Sequence, residues 1–444
     1  MKHNYDIIII GGGMSGISAA VAAARRSHRV LLVEQSCMLG GMGTGGLITM
    51  MMTSRNWFYG FGRTLIEDMI RRGEARYIEK PAVAGYDYYP YDAEAMKREL
   101  ENAVLSSGCE LLLGTRLVSA KAQNGRVVEV TLAGAEGLFT ASASIFIDAS
   151  GDGVLCEAAG EEIFYGDTNG NIQAPTMLAY YAGVDFDRYE AFLKQFEDGK
   201  KPAKINMIHT LVPLAAKEGV ISTIDLHHPG IFRISEDADI GIMNAGHVYG
   251  ADLRTSKGLT AATVAGRKMA KEYFDFYRRY VPGFEKAYMT NTGSTIAIRE
   301  GKRVRGKYTM LFSEKAAYQK FEDAVMRMDG GAVSDLHASS ADKKAYDAYQ
   351  KLFADRDKVR RDDFATLPLR SLQAANNTNL LMCGRCVSAD REVLGQIRIM
   401  GYCFMMGEAA GLAASISLEQ SIDVANINAK DVQCLLAEGG IPTL

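Results

Sequence analysis

The 444-residue sequence lacks a long apolar run at its start: its first hydrophobic stretch, Ile7 to Ile10, breaks off into glycines. That is too short for a signal peptide or a membrane span, so a cytoplasmic protein is expected. It also lacks an excess of either charge. The 50 lysines and arginines nearly balance 53 aspartates and glutamates, and a formal charge of -3 supplies no field for nucleic acid or an acidic membrane; neither partner is expected. Seven cysteines, Cys37, Cys109, Cys156, Cys383, Cys386, Cys403 and Cys434, are an odd number scattered along the chain. They do not read as the disulfide framework of a secreted fold, and most are expected to be buried reduced thiols. No cysteine cluster suits an iron–sulfur centre and no ligand set has zinc spacing, so no metal is expected. There is no internal repeat and no low-complexity tract. What remains, 48% hydrophobic and 23% charged, is the composition of an ordinary globular protein with room for about two or three domains.

What is present begins with DIIIIGGGMSGISAA. Four successive isoleucines read as a strand buried on both faces of a parallel sheet. Gly11, Gly13 and Gly16 then match G-x-G-x-x-G, in which the first glycine permits a sharp turn, the second close approach of a pyrophosphate, and the third tight helix-to-strand packing. The following helix, ISAAVAAARR, turns its free N–H groups and positive dipole end toward that phosphate. A second strand, RVLLVE, ends in Glu34 at the spacing of a ribose contact. Strand, glycine turn, helix, strand and acid in that order predict an adenine dinucleotide, with NAD and FAD both open at this point.

Five glycines, Gly40, Gly41, Gly43, Gly45 and Gly46, crowd the stretch after Glu34, as expected of backbone pressed against a flat ligand. Helices are predicted around FGRTLIEDMIRRGE and YDAEAMKRELENAVLSSG, the second capped by Asp92 and stopped at Gly108. Strands with an Asn124–Gly125 hairpin turn follow, and then a buried strand in TASASIFIDASGDG. From Glu162 to Ala365 the character changes. This part is richer in aromatic and charged residues, and a long helix there carries Ala262, Gly266, Met269, Tyr273, Phe276 and Tyr280 at core spacing before Pro282–Gly283 stops it. A charged helical excursion is expected from Ser339 to Asp363. NLLMCGR then reads as another buried strand and MGYCFMMGEAAGLAASIS as a small-residue helix. The reading is an α/β protein: a Rossmann-like nucleotide-binding domain made of residues 1–161 and 366–444, with an α+β substrate domain, residues 162–365, inserted between them.

Several ordered motifs resemble the FAD-dependent oxidoreductases of the glutathione-reductase-like flavoprotein fold, and more distantly the fumarate reductase flavoproteins. They are GGGMSG with VLLVEQ and LGGMGTGG; FIDASGDG; VPGFEKAY and AIREGKRVRGKY; and LPLRSL, NLLMCGRCVSAD and MGEAAGLAA. The resemblance implies FAD. It implies that Gly11, Gly13, Met14, Ser15 and Gly16 contact the pyrophosphate, that Glu34, with neighbouring Gln35, holds the ribose, and that Leu117 and Val118 meet the adenine through backbone. It places Gly40, Gly41, Met42, Thr44 and Gly45 along the isoalloxazine, Ala149, Ser150, Gly151 and Asp152 near the adenosine half, and Gly384 near the pyrophosphate. A helix beginning near Gly407, with Ala409 and Ala410, would aim its N-terminus at the flavin N1/C2 carbonyl. Two departures stand out. Glu408 replaces the glutamine frequent in the family, a charge opposing reduction unless it points away, and Cys383 creates a C-x-x-C pair with Cys386, read as structural thiols rather than a redox disulfide.

The flavin carries electrons, so the protein must supply orientation, charge and a base. Arg299 and Arg398, in stretches matching the family pattern, are candidates to hold a substrate carboxylate or hydroxyl, against the plainer reading of structural ion pairs, Arg299 with Glu300 for one. His337 in a D-x-H segment and His247 in NAGHVYG are candidate bases, against hydrogen-bonded structural histidines. His227 and His228, before Pro229, read as a surface turn. The expected function is a dehydrogenase or reductase moving hydride between a small polar organic substrate and flavin N5, with an unidentified electron acceptor or donor and a homo-oligomer left open. The alternatives are an electron-relay subunit of a redox complex and a non-redox FAD-dependent isomerase or hydratase.

Overall fold

The computed structural model describes residues 3–54, 56–78, 86–199, 202–227, 230–234, 239–331, 334–341, 360 and 363–442. Its first strand, β1 (His3–Ile10), carries Ile7 to Ile10 with almost no exposure, each worth roughly 2 kcal/mol of apolar burial. The glycine turn leads into α1 (Met14–Ala24) and back to β2 (Val30–Val33), parallel to β1. A hairpin, β3 (Met50–Ser54) and β4 (Tyr86–Pro90), flanks α2 (Phe61–Arg71). Helix α3 (Ala93–Ser106) is capped by Asp92, whose side chain accepts from Ala95 N, and is followed by Gly108 at φ 86°, as its sequence predicts. Next come β5 (Glu110–Leu112), β6 (Arg116–Gln123), β7 (Arg126–Gly134) and β8 (Gly137–Asp148). Asn124 and Gly125, at φ 51° and 71°, make the β6–β7 turn in the left-handed region that such a hairpin requires.

The main sheet runs β5-β2-β1-β8-β7-β6, and the strand Leu380–Met382 joins it parallel to the end of β8. Both ends of the chain therefore build one nucleotide-binding sheet. On one face α1 is pressed against the helix Met400–Glu419. The two backbones meet because both are lined with small residues: a side-chain carbon on Gly407 would lie 2.0 Å from the Ser15 carbonyl oxygen, and one on Gly411 would lie 2.4 Å from that of Ala19. Among the described residues no single helix is long and apolar enough to cross a membrane; only the pair Arg391–Ile397 and Met400–Glu419, bent by 95°, passes by length and composition together.

A second core, running from Met177 to Ile296, unites a four-stranded antiparallel sheet (Gly230–Arg233, Ile240–Asn244, Ala179–Ala182, Tyr288–Thr292) with the helices Phe186–Leu193, Ala203–Lys217 and Ser256–Tyr280. The last is the predicted aromatic helix, with Tyr273 and Phe276 buried. The expected boundary at residue 365 is too late. The paired strands Ala324–Asp329 and Phe364–Pro368 send Val325, Met326, Met328, Ala365 and Leu367 into the first core, beside α3 and the Met400–Glu419 helix. Of the charged excursion expected from Ser339 to Asp363, residues 342–359, 361 and 362 lie outside the described residues.

Candidate active site

The sheet's register puts several strand ends level. Ile10 lies opposite both Val33 and Asp148, and Met382 opposite Asp148, so the residues that follow, Gly11, Glu34, Ala149 and Cys383–Gly384, share one edge. This is the carboxyl edge of a parallel sheet, where such folds bind ligands. Gly11, at φ 108°, starts the turn, and Gly16 closes it: a side-chain carbon there would lie 1.8 Å from the Gly11 carbonyl oxygen. Gly13 caps α1 without any side-chain hydrogen bond, and a carbon placed on it would meet nothing within 4 Å. Open N–H groups at a helix start with space before them suit an anion.

Glu34 accepts from Gly12 N at 2.7 Å and from Ser36 N and Oγ at 2.8 Å each, while Gln35 is exposed. A carboxylate offers about four acceptor positions, so one remains for a hydroxyl. The glycine loop folds back on this turn, with Gly40 N donating to Gly12 O, and a side-chain carbon on Gly41 would lie 3.3 Å from Gly13 Cα. Met14 and Met400 both pack on Gly43, and Thr44 Oγ1 donates to Leu39 O. From the inserted side, Thr295 N donates to Gly45 O and Ile298 N points at Met42 Sδ, 3.3 Å away. Ser15 Oγ faces Gly384, where an added carbon would lie 2.4 Å away. Ser150 donates to Asp148, while Arg385 donates to the Gly151 carbonyl at 2.9 Å and to Asp152 at 3.0 Å. On the adenine side, the β6–β7 register passes from Leu117 to Ser119 and skips Val118, which is exposed.

The four candidate catalytic residues, drawn from four separated segments, come together beside this loop. His247 Nδ1 lies 2.9 Å from Asp225 Oδ2, and His247 Nε2 lies 3.0 Å from His337 Nδ1. His337 Nε2 is 3.6 Å from Asp335 Oδ2, and Arg398 donates to that same carboxylate oxygen at 3.1 Å. Arg299 donates to Ala174 O, Thr176 Oγ1 and Asn244 Oδ1. Burial, then the charge of Arg299, holds the His337 imidazole well below its usual pKa, so it rests neutral. Gln173, fully buried, accepts from His337 N and from Arg398 through Oε1; its Nε2 and the Arg398 Nε are buried donors without a partner among the described residues.

Residues 6–436 match the family described as FAD dependent oxidoreductase. The chain belongs to the FAD-dependent oxidoreductase family. A digeranylgeranylglycerophospholipid reductase of Methanoculleus marisnigri is 27% identical over 145 residues, 29% of this chain and 33% of that relative. A soluble pyridine nucleotide transhydrogenase of Chromohalobacter salexigens is 46% identical over 39 residues, 9% of this chain and 8% of its own. The chain thus spans a third or less of these curated relatives. A geranylgeranyl bacteriochlorophyll reductase-like structure from Thermoplasma acidophilum aligns over 99% of this chain and 84% of its own, with a TM-score of 0.49 and 12% identity.

For this FAD-dependent oxidoreductase the cradle fits its cofactor: the uncapped α1 start and the open space before Gly13 suit a pyrophosphate, and Glu34 keeps one acceptor position for a ribose hydroxyl. Several expectations change. The small-residue helix begins at Met400, not near Gly407; Gly407, Ala409 and Ala410 lie mid-helix, buried, with Gly407 on the Ser15 carbonyl. The helix start that faces the glycine loop is Met400, whose sulfur accepts from Tyr91 OH at 3.4 Å. Glu408 points away, capping α2 by accepting from Phe61 N at 3.0 Å, and burial raises its pKa. Cys383 and Cys386 are free buried thiols, their pKa values pushed up chiefly by burial. Glu300 pairs with Arg391 at 2.9 Å rather than with Arg299. His227 is buried instead of lying in a surface turn, while His228 is outside the described residues.

Sequence reasoning missed Asp225, Asp335 and Gln173. A signal for Asp225 was present: Asp225-Leu226-His227 repeats the triplet Asp335-Leu336-His337, and His247 lies between the two copies, bonded to Asp225 and His337.

Proposed function

We propose that this FAD-dependent oxidoreductase moves hydride between a small polar organic substrate and its flavin, with His337 exchanging the substrate's hydroxyl or amine proton. The observation that carries this reading is the His337–His247–Asp225 line beside the glycine loop, a neutral imidazole backed by a second imidazole and a carboxylate. FAD supplies the two-electron chemistry at N5. His337 takes the proton as hydride leaves. Gln173 Nε2 and Arg398 Nε, buried donors, hold the substrate oxygen as its charge develops. Arg398 is already tied to the Asp335 carboxylate.

The test is anaerobic bleaching of the 450 nm band by a panel of alcohols, amines and hydroxy acids. Wild-type protein bleaches with one class, and His337→Gln keeps the visible spectrum but bleaches about 10²- to 10⁴-fold more slowly. Equal bleaching by His337→Gln refutes the assignment of the base.

A further inference from the structure

We infer that Gln173 is a specificity-determining residue that reserves this site for an alcohol and its carbonyl product and turns amines away; the inference deepens the function proposed above and rests on the substrate lying beside His337. Gln173 has no exposed surface and is fixed at both ends. Its backbone N–H donates at 2.9 Å to Glu300 Oε2, a fully buried carboxylate oxygen that Arg391 Nε also holds at 2.9 Å. Its side-chain Oε1 accepts from His337 N at 3.0 Å and from Arg398 Nη2 at 3.4 Å.

Those two donors decide which way the carboxamide faces. Turned over, it would set its own NH2 against a backbone N–H and a guanidinium, donors with no acceptor among them. Nε2 is thereby turned away from both, and there it is buried without a partner among the described residues. Arg398 repeats the pattern. Its Nη2 is taken by Asp335 O, Asp335 Oδ2 and Gln173 Oε1, and its Nε is a second buried donor without a partner among the described residues. Nearby acceptors are engaged, Asn244 Oδ1 and Thr176 Oγ1 both by Arg299. Two touching side chains thus leave over donors, and a buried donor left unpaired is costly.

The partner these donors call for is an acceptor. An alcohol oxygen offers two lone pairs and still has its hydrogen to give to the base, and a carbonyl oxygen also offers two; an uncharged amine offers one and an ammonium none. The Arg299 charge, which bears on His337, opposes an ammonium further. The alcohol–carbonyl couple balances. Carbon gives up its hydrogen as hydride to the flavin, the hydroxyl gives up its proton to the base, and the C–O bond becomes C=O. As the O–H bond breaks, negative charge gathers on the oxygen that the donors hold, so their bonds strengthen in the transition state.

The test uses the full-length, FAD-loaded protein and anaerobic bleaching by alcohols and amines paired on one carbon skeleton, benzyl alcohol with benzylamine and cyclohexanol with cyclohexylamine among them. Wild type is expected to bleach with alcohols about 100-fold or more faster than with the paired amines. An amine that bleaches as fast as its alcohol overturns the inference, and that measurement needs no variant to fold. Binding gives a second readout, in which the carbonyl product of the alcohol that bleaches is titrated against the oxidised flavin band. Gln173→Glu keeps an oxygen toward His337 N and Arg398 but sets a carboxylate oxygen where Nε2 stood. It is expected to keep the visible spectrum, to bind the carbonyl about 5- to 150-fold more weakly, and to narrow the preference for alcohol. Gln173→Glu with a wild-type spectrum and an unchanged carbonyl Kd also overturns the inference. Failure of the base role reads differently: His337→Gln bleaches at the wild-type rate while the alcohol preference stands.

Discussion

Two glycines that look alike in the sequence separate cofactor binding from folding. Gly13 caps α1 at φ -76°, a conformation open to any residue, and an added methyl would touch no protein atom within 4 Å. Gly407 sits mid-helix, where the same methyl would lie 2.0 Å from the Ser15 carbonyl oxygen and 2.7 Å from its carbon. Backbone cannot step aside there without parting the two helices. Gly13→Ala therefore leaves apoprotein stability within about 0.5 kcal/mol, the small difference between glycine and alanine at a cap. It fills the space a pyrophosphate needs, and losing one charge-assisted bond to the α1 N–H groups, about 1.5–3 kcal/mol, raises the FAD Kd about 10- to 150-fold. Gly407→Ala is the mirror case, losing about 1–3 kcal/mol or more of apoprotein stability to overpacking. Urea unfolding of the apoprotein and titration of FAD fluorescence quenching read the two quantities. If Gly13→Ala binds FAD within threefold of wild type, the placement of the pyrophosphate at α1 is wrong.

Two further outcomes are expected. Lys315 is fully buried, donating to Gly331 O beside Asp329; burial pushes the lysine down to about 7 and the aspartate up to about 6. Between pH 4 and 6 the folded state holds the extra proton on Asp329 and stability falls as pH rises; between 7 and 10 the unfolded state holds it on the lysine and stability rises. Replacing both, Lys315→Met with Asp329→Leu, thus gains most against wild type near pH 6–7 in urea midpoints, whereas Lys315→Met alone loses about 3–5 kcal/mol; a pH-independent difference for the double variant refutes the charged-pair account. In the native protein only the two exposed cysteines, Cys37 and Cys434, react quickly with a disulfide reagent, the other five being buried. A third fast thiol contradicts the packing around Cys383 and Cys386.

How much of this was legible in the sequence depended on distance along the chain. The turn from Gly11 to Glu34 is a local pattern, four buried isoleucines and three spaced glycines, and the structure repeats it in order. His247, Arg299, His337 and Arg398 were chosen one by one from chemistry and family likeness, and they converge. Asp225 carried one faint signal, the repeated Asp-Leu-His triplet, while its partners, the backbone N–H groups at 227, 246 and 247 and the side chains of His247 and Tyr249, are assembled only by the folded chain. The start at Met400 gave no signal either. Its cap residue, Ile399, makes no side-chain bond, so nothing in the apolar run marks a first turn. The strands Ala324–Asp329 and Phe364–Pro368 are short and buried almost throughout, and pattern alone does not say which core such a run enters.

The strand Leu380–Met382 has a meaning for how the protein is made. It pairs with β8, more than 230 residues earlier in the chain, and carries Gly384 to the same edge as Gly11 and Ala149. A ribosome delivering the chain from its N-terminus exposes β1, β2 and β8 long before that last parallel neighbour exists. Along its end, β8 must wait with an open edge while the inserted core folds beside it, a long-range pairing that is slow to find and prone to pairing elsewhere. The cofactor's cradle is thus among the last parts of the molecule to close.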